Sequence, residues 1–326
     1  MREFYYSVDV ASRTLRSSPA SSVSSVTSLR TLRSQLQLYQ CVSVLQLVRS
    51  PRAGLIRSPW ALKMLNKRVK PNKVYSERLQ LEAELLQRMS HPNIVGFRAF
   101  SKANTLFLGM EACEISLGDK IEKRVEEGCE PFTHMQILKV ALDIGKALDY
   151  LHTKMQLLHG DIKSYNILVN GDFEICKLCD FGVTLPLDEN GVFDKMKAGN
   201  AVYYGTEAWS APEVIHGGEI SSKTDIWPLG LTLWEMMALM PPHSQLDETA
   251  DDSMNLDQSA ESFDEEYFSQ RYGTCPPVPA NIGGRYSGAL RLLRRCVEPA
   301  AAARAAAADV VADAAELMAR ELDATP

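Results

Sequence analysis

The feature that most narrows what this chain can become is a polar run set between apolar residues: Leu158-His159-Gly160-Asp161-Ile162-Lys163-Ser164-Tyr165-Asn166-Ile167-Leu168-Val169. Lys163 stands two residues after Asp161 and Asn166 five after it; Asp180-Phe181-Gly182 begins fourteen residues past Asn166, and Ala211-Pro212-Glu213 follows about thirty further on. These residue types suit phosphoryl transfer, which needs positioning and charge neutralisation more than covalent help. A carboxylate at Asp161 can orient or accept the proton of an attacking hydroxyl. Lys163 can reach a γ-phosphate and offset its developing charge. Asn166 and Asp180 offer oxygen ligands suited to Mg²⁺, which would bridge the phosphates of ATP. A lone Asp-Phe-Gly carries no weight, and a lone Asp161 would read as a turn aspartate capping local backbone. The ordered set is specific.

Composition sets outer limits. The chain has 326 residues, 45% hydrophobic and 23% charged, which is ordinary for a globular protein and enough for a sizeable core. A formal net charge of -6 makes no case for nucleic-acid binding. The 7 cysteines form no regular framework, which fits a reducing compartment. Cys176 and Cys179 have CxxC spacing but sit in a strand-like stretch, where they point to opposite faces and read as ordinary half-buried cysteines. No apolar run approaches the roughly 18 residues of a membrane span, and no secretory signal opens the chain. The expected location is cytoplasmic or nuclear.

Residues 1–40 are rich in Ser, Arg and Leu, and no Asp or Glu occurs between Val10 and Ser76. This segment reads as disordered or atypical, or as an artefact of an exon boundary; a mitochondrial transit peptide has the same composition. Strands are expected around Val42–Val48, Trp60–Met64, Ile94–Phe100 and Thr105–Met110, with a helix over 76–90 ended by His91-Pro92. From about 115 the chain turns helical. Ile137, Val140, Ala141, Ile144, Leu148 and Leu151 form one stripe of a helix over 134–153. Further helices are expected over 225–239 and 299–322, and residues 247–266 read as an acidic insert.

Lys63, in Trp60-Ala61-Leu62-Lys63, is placed to hold the α/β-phosphates, and Glu82 on the following helix to pair with it; the bland alternative is that Glu82 or its neighbour Glu84 is a solvated helix charge. Leu106–Cys113 reads as a strand entering a hinge, where backbone near Glu111 and Cys113 would bond adenine and Met110 would line the pocket, the core, or both. Glu213 is expected to form a buried ion pair with Arg304, and Asp225 to hold the catalytic loop through backbone hydrogen bonds. Thr206 is either a regulatory phosphosite or a residue that bonds the catalytic loop and shapes the substrate site.

At these residues the chain resembles the PDZ-binding kinases, also called T-LAK cell-originated protein kinases, relatives of the MAP kinase kinases. The carrying segments are 57–63, 91–100, 159–166, 171–180, 186–190 and 230–237. The resemblance implies an α+β bilobal protein-kinase fold over 41–322. It would have an antiparallel N-lobe (41–111) with one helix, a mainly helical C-lobe (114–322), and ATP in the cleft. It implies an ATP- and Mg²⁺-dependent serine/threonine kinase acting on protein substrates, with mitotic and MAP-kinase-pathway roles. Three features bear on that. No glycine-rich loop precedes Val42, where the chain reads Leu36-Gln37-Leu38-Tyr39-Gln40-Cys41, so a weak enzyme or a pseudokinase scaffold is the competing expectation. Gly160 stands where most kinases have an arginine that pairs with a phosphorylated loop, so loop phosphorylation is not expected to act there. The chain ends Asp323-Ala324-Thr325-Pro326, without the family's PDZ-binding tail, which puts a PDZ partner in doubt.

Overall fold

The computed structural model describes residues 5–7, 42–47, 60–65, 73–102, 106–244, 271–280 and 282–323. The rest of segment 1–40, the stretch Leu36–Cys41, the acidic insert 247–266 and the terminal Ala324-Thr325-Pro326 lie outside the described residues. The chain divides into two compact units, residues 1–90 with 95–113, and residues 91–94 with 114–326.

The first unit is a five-stranded antiparallel sheet with one helix. Its strands are β1 (Tyr5–Ser7), β2 (Val42–Leu47), β3 (Trp60–Leu65), β4 (Phe97–Ser101) and β5 (Phe107–Glu111), in spatial order β1-β2-β3-β5-β4. Strand β1 was not foreseen; its Tyr-Tyr pair has good strand propensity and extends the edge of β2. Helix α1 (Lys73–Arg88) starts three residues before the expected Ser76. Leu79, Ala83 and Leu86 make its buried stripe, and it packs on β4 and β5.

Residues 91–94, expected in the first unit, belong to the second. The backbone carbonyl of Asn93 accepts from Leu178 N (2.8 Å), its side-chain amide donates to Cys176 O (3.0 Å), and His91 stacks on Tyr150. These bonds outweigh the apolar pattern that suggested a strand from Ile94, and β4 begins only at Phe97.

In the second unit β6 (Ile115–Ser116) leads into α2 (Leu117–Glu126), capped by the Ser116 hydroxyl. Helix α3 (His134–Tyr150) opens with a Thr133/Gln136 capping box and buries the predicted stripe. It passes into a π-helical turn, Leu151–Met155, rather than running on to 153 as α-helix. Strands β7 (Leu157–Leu158) and β10 (Leu185–Pro186) pair, as do β6, β8 (Ile167–Asn170) and β9 (Ile175–Leu178). Cys176 is buried in β9 and Cys179 half-buried just past it. Helix α4 (Ile226–Ala238) is buried from Ile226 to Met237, the mark of a central core helix. It meets α5 (Ser287–Cys296) at Gly230, where a Cβ would sit 2.7 Å from Cys296 Cβ.

The last helix, α6 (Ala307–Asp323), begins eight residues later than the expected 299. The alanine-rich stretch before it is a series of turns. Arg304 donates from Nε to Glu298 O (2.9 Å) and from Nη2 to Pro299 O (3.3 Å), so those carbonyls serve a side chain instead of a helix. Among the described residues no helix is long and apolar enough to cross a membrane.

Candidate active site

In the first unit, the register of β3 sets Lys63 opposite Val44 of β2 and Leu108 of β5. Its Nζ reaches Glu82 Oε2 at 2.8 Å, and the Glu82 side chain is only 1% exposed. Glu84 faces solvent and accepts from Gln80 (2.7 Å), so Glu82 is the partner of Lys63. Met110 is buried in β5 between Ala61 and Phe97. The Glu111 backbone N–H donates to Gly96 O (2.8 Å) and its carboxylate accepts from Gly96 N (3.2 Å). That backbone donor is committed to the segment before β4, which leaves the Glu111 carbonyl and the Cys113 backbone as the groups near the hinge for adenine. Cys113 is half-buried at the end of the unit.

In the second unit the polar run closes into a cluster. Thr206 Oγ1 donates to Asp161 Oδ1 (2.6 Å), and Lys163 Nζ lies 2.8 Å from Asp161 Oδ2 and donates to Thr206 Oγ1 (2.9 Å). The Asn166 amide donates from Nδ2 to Asp161 O (2.7 Å) and Oδ2 (3.1 Å). Lys163 is buried, so its ammonium is held by these partners with one further N–H to offer. Asp180 adopts a left-handed backbone (φ 66), a conformation aspartate tolerates better than most residues. The loop is braced from beneath. Buried His159 bonds Cys179 O (3.0 Å) and packs edge-on against fully buried Phe181.

Asp225, at the start of α4, accepts from His159 N (2.8 Å) and Gly160 N (2.9 Å), and His152 Nε2 lies 2.9 Å from its Oδ2. Arg304 forms a two-pronged pair with Glu213 (2.7 and 2.8 Å). Its remaining donors go to Lys223 O, Glu298 O and Pro299 O, so all five N–H groups are used. Burial alone would raise the Glu213 carboxyl, but the Arg304 guanidinium, with the Thr224 hydroxyl, holds it below its ordinary value.

Sequence reasoning missed Ser164 and Glu235. Both are buried, and the Ser164 hydroxyl donates to Glu235 Oε1 (2.8 Å), tying the catalytic loop to α4. Burial pushes the Glu235 carboxyl up to about 8, against the Ser164 hydroxyl and Trp209 indole; nearby Glu122 adds to the rise. A readable signal existed: a lone carboxylate inside Leu231-Thr232-Leu233-Trp234-Glu235-Met236-Met237 must be buried and partnered or neutral.

An antiparallel sheet with a lysine–glutamate pair, and a helical unit carrying an Asp-Lys-Asn-Thr cluster beside Asp-Phe-Gly, define a class: the chain belongs to the protein kinase domain family, whose match runs over residues 48–314. Within that family it is 44% identical over 278 residues to the human lymphokine-activated killer T-cell-originated protein kinase, covering 83% of this chain and 84% of that one. More distant similarity reaches the Dictyostelium discoideum serine/threonine-protein kinase dst2 (36% over 175 residues, 52% of this chain and 14% of that one). It also reaches the rat mitogen-activated protein kinase kinase kinase 12 (32% over 166 residues, 51% of this chain and 17% of that one).

Proposed function

We propose that this chain is an ATP- and Mg²⁺-dependent serine/threonine protein kinase whose reacting hydroxyl is positioned at Asp161. The observation that carries the reading is the closed Asp161–Lys163–Thr206 cluster. Asp161 accepts from Thr206 and Asn166 and retains carboxylate lone pairs to orient an incoming hydroxyl and take its proton. Lys163 has an N–H left for the γ-phosphate. Thr206 bonds both, which supports a positioning role for its hydroxyl over a phosphosite. Glu213–Arg304 and Asp225 act at one remove, holding the backbone around the cluster.

The donor set fits magnesium. Asn166 uses its Nδ2 on Asp161, which leaves Oδ1 as the ligand end, and Asp180 supplies a carboxylate. Among the described residues no group of three or more His, Cys, Asp or Glu could hold a metal, and an ion carried by two protein oxygens plus phosphates and water requires none. When bound, Mg²⁺ would neutralise charge on the phosphates. Lys63, oriented by Glu82, is the residue proposed to hold the α/β-phosphates, with Met110, Glu111 and Cys113 along the adenine edge. Protein substrates are supported by the relatives' names, and a MAP-kinase-linked pathway by the rat relative's name alone.

The test is Mg-ATP-dependent phosphorylation of a generic Ser/Thr substrate. Asp161→Asn should lower kcat by about 10²–10⁴-fold, the usual contribution of a general base. Equal activity in both proteins would refute the assignment, and no activity in either would favour a scaffold.

A further inference from the structure

Asp161 and Thr206 meet at 2.6 Å, although 45 residues separate them, and each is preceded by a glycine. One side chain lies against both glycines. A Cβ built on Gly205 would fall 2.5 Å from Cε1 and from the hydroxyl oxygen of Tyr203, closer than real Cβ atoms come to anything. Gly160 has φ +79; a Cβ there would sit 3.2 Å from Val183 O and 3.9 Å from Tyr203 Cε2. The ring therefore takes up the space that a side chain at 205 would need and borders the space at 160.

Its position is set from the other side by the buried Leu158, Leu185 and Leu187, against which it packs with Phe193 and Ile220. Leu158 and Leu185 are paired across β7 and β10, so the support is backbone-fixed. Burial pushes the Tyr203 phenol well above its ordinary range, and the Asp225, Asp161 and Glu213 carboxylates push it further.

We infer that Tyr203 is a positioning residue, its ring acting as the spacer that sets Thr206 against Asp161 through the two glycines. This rests on the proposed roles of Asp161 and Thr206. Neither glycine is then a free choice: a side chain at 205 displaces the ring, and one at 160 is strained by its backbone as well. Loss of the ring leaves Thr206 and Lys163 free to drift from the carboxylate. Misplacement by about 1 Å costs on the order of a hundredfold in rate.

The experiment compares kcat, KM for Mg-ATP and thermal unfolding for the wild type, Tyr203→Ala, Tyr203→Phe, Gly205→Ala and Asp161→Asn. Expected are a roughly hundredfold lower kcat with unchanged KM in Tyr203→Ala, a matching loss in Gly205→Ala, and near wild-type kcat in Tyr203→Phe. Wild-type kcat in Tyr203→Ala or Gly205→Ala overturns the inference. So does a Phe variant as poor as Ala, which would assign the effect to the hydroxyl. A deficit that vanishes once the rate is corrected for the folded fraction also overturns it, reducing Tyr203 to a structural part. If Tyr203→Ala does not fold, the Phe and Gly205→Ala variants decide alone. Full activity in Asp161→Asn would instead sink the underlying site reading.

Discussion

Two glutamates of the helical unit, Glu213 half-buried and Glu235 buried, have opposite fates. Glu213 meets a guanidinium whose every N–H is used, and its carboxyl is held charged. Glu235 is shut into the core against one serine hydroxyl, and burial pushes its carboxyl up to about 8. Burial penalises charge in both; the partner decides whether the penalty is met by an opposite charge or escaped by holding the proton.

The largest break in this contrast should come from Arg304→Met. It leaves the half-buried Glu213 without its cation and should cost up to about 3–5 kcal/mol by urea unfolding. Adding Glu213→Met should recover much of that, since an uncompensated charge costs more than a missing pair. A single variant within about 1 kcal/mol of wild type, well below the roughly 3–5 kcal/mol such losses run to, would show that the pair is not what anchors the Ala211-Pro212-Glu213 segment.

Next in size is a pH effect. Between the ordinary carboxyl value and about 8, Glu235 keeps its proton in the folded chain and loses it in the unfolded one. Stability from this group is therefore full at low pH and falls as pH rises, at about 1.4 kcal/mol per unit. His243, pushed down to about 4 by burial and Arg271, has the opposite slope below its ordinary 6.5. The clean window is thus pH 6.5–8, where the loss should reach up to about 2 kcal/mol and Glu235→Gln should flatten it. Denaturation midpoints that run parallel for the two proteins across this window would contradict a neutral Glu235.

The smallest effect belongs to Ser164→Ala. Removing the hydroxyl strips Glu235 of its hydrogen-bond donor and should cost about 1–2 kcal/mol, while raising the carboxyl further. Combined with Glu235→Leu, the serine loss should become nearly neutral. Additive losses in that double variant would mean the two residues do not act as a pair.

Much of the fold was readable because its signals are local. The stripe Ile137–Leu148 announced α3, the uninterrupted apolar run announced α4, and His91-Pro92 marked where α1 must stop. What failed was also physical. Alanine propensity suggested a helix from 299, but a buried arginine took the carbonyls that helix needed. The strand expected from Ile94 yielded to Asn93, whose bonds to Cys176 and Leu178 lie more than eighty residues away in sequence.

The sequence by itself determined the periods of the long helices, the residue types able to move a phosphoryl group, and their order along the chain. Only the tertiary structure decided why Glu235 is neutral and Glu213 charged, and that one tyrosine ring lies against two glycines. Those outcomes depend on desolvation and on partners 71 and 91 residues distant, and neither is a property of any local stretch of chain.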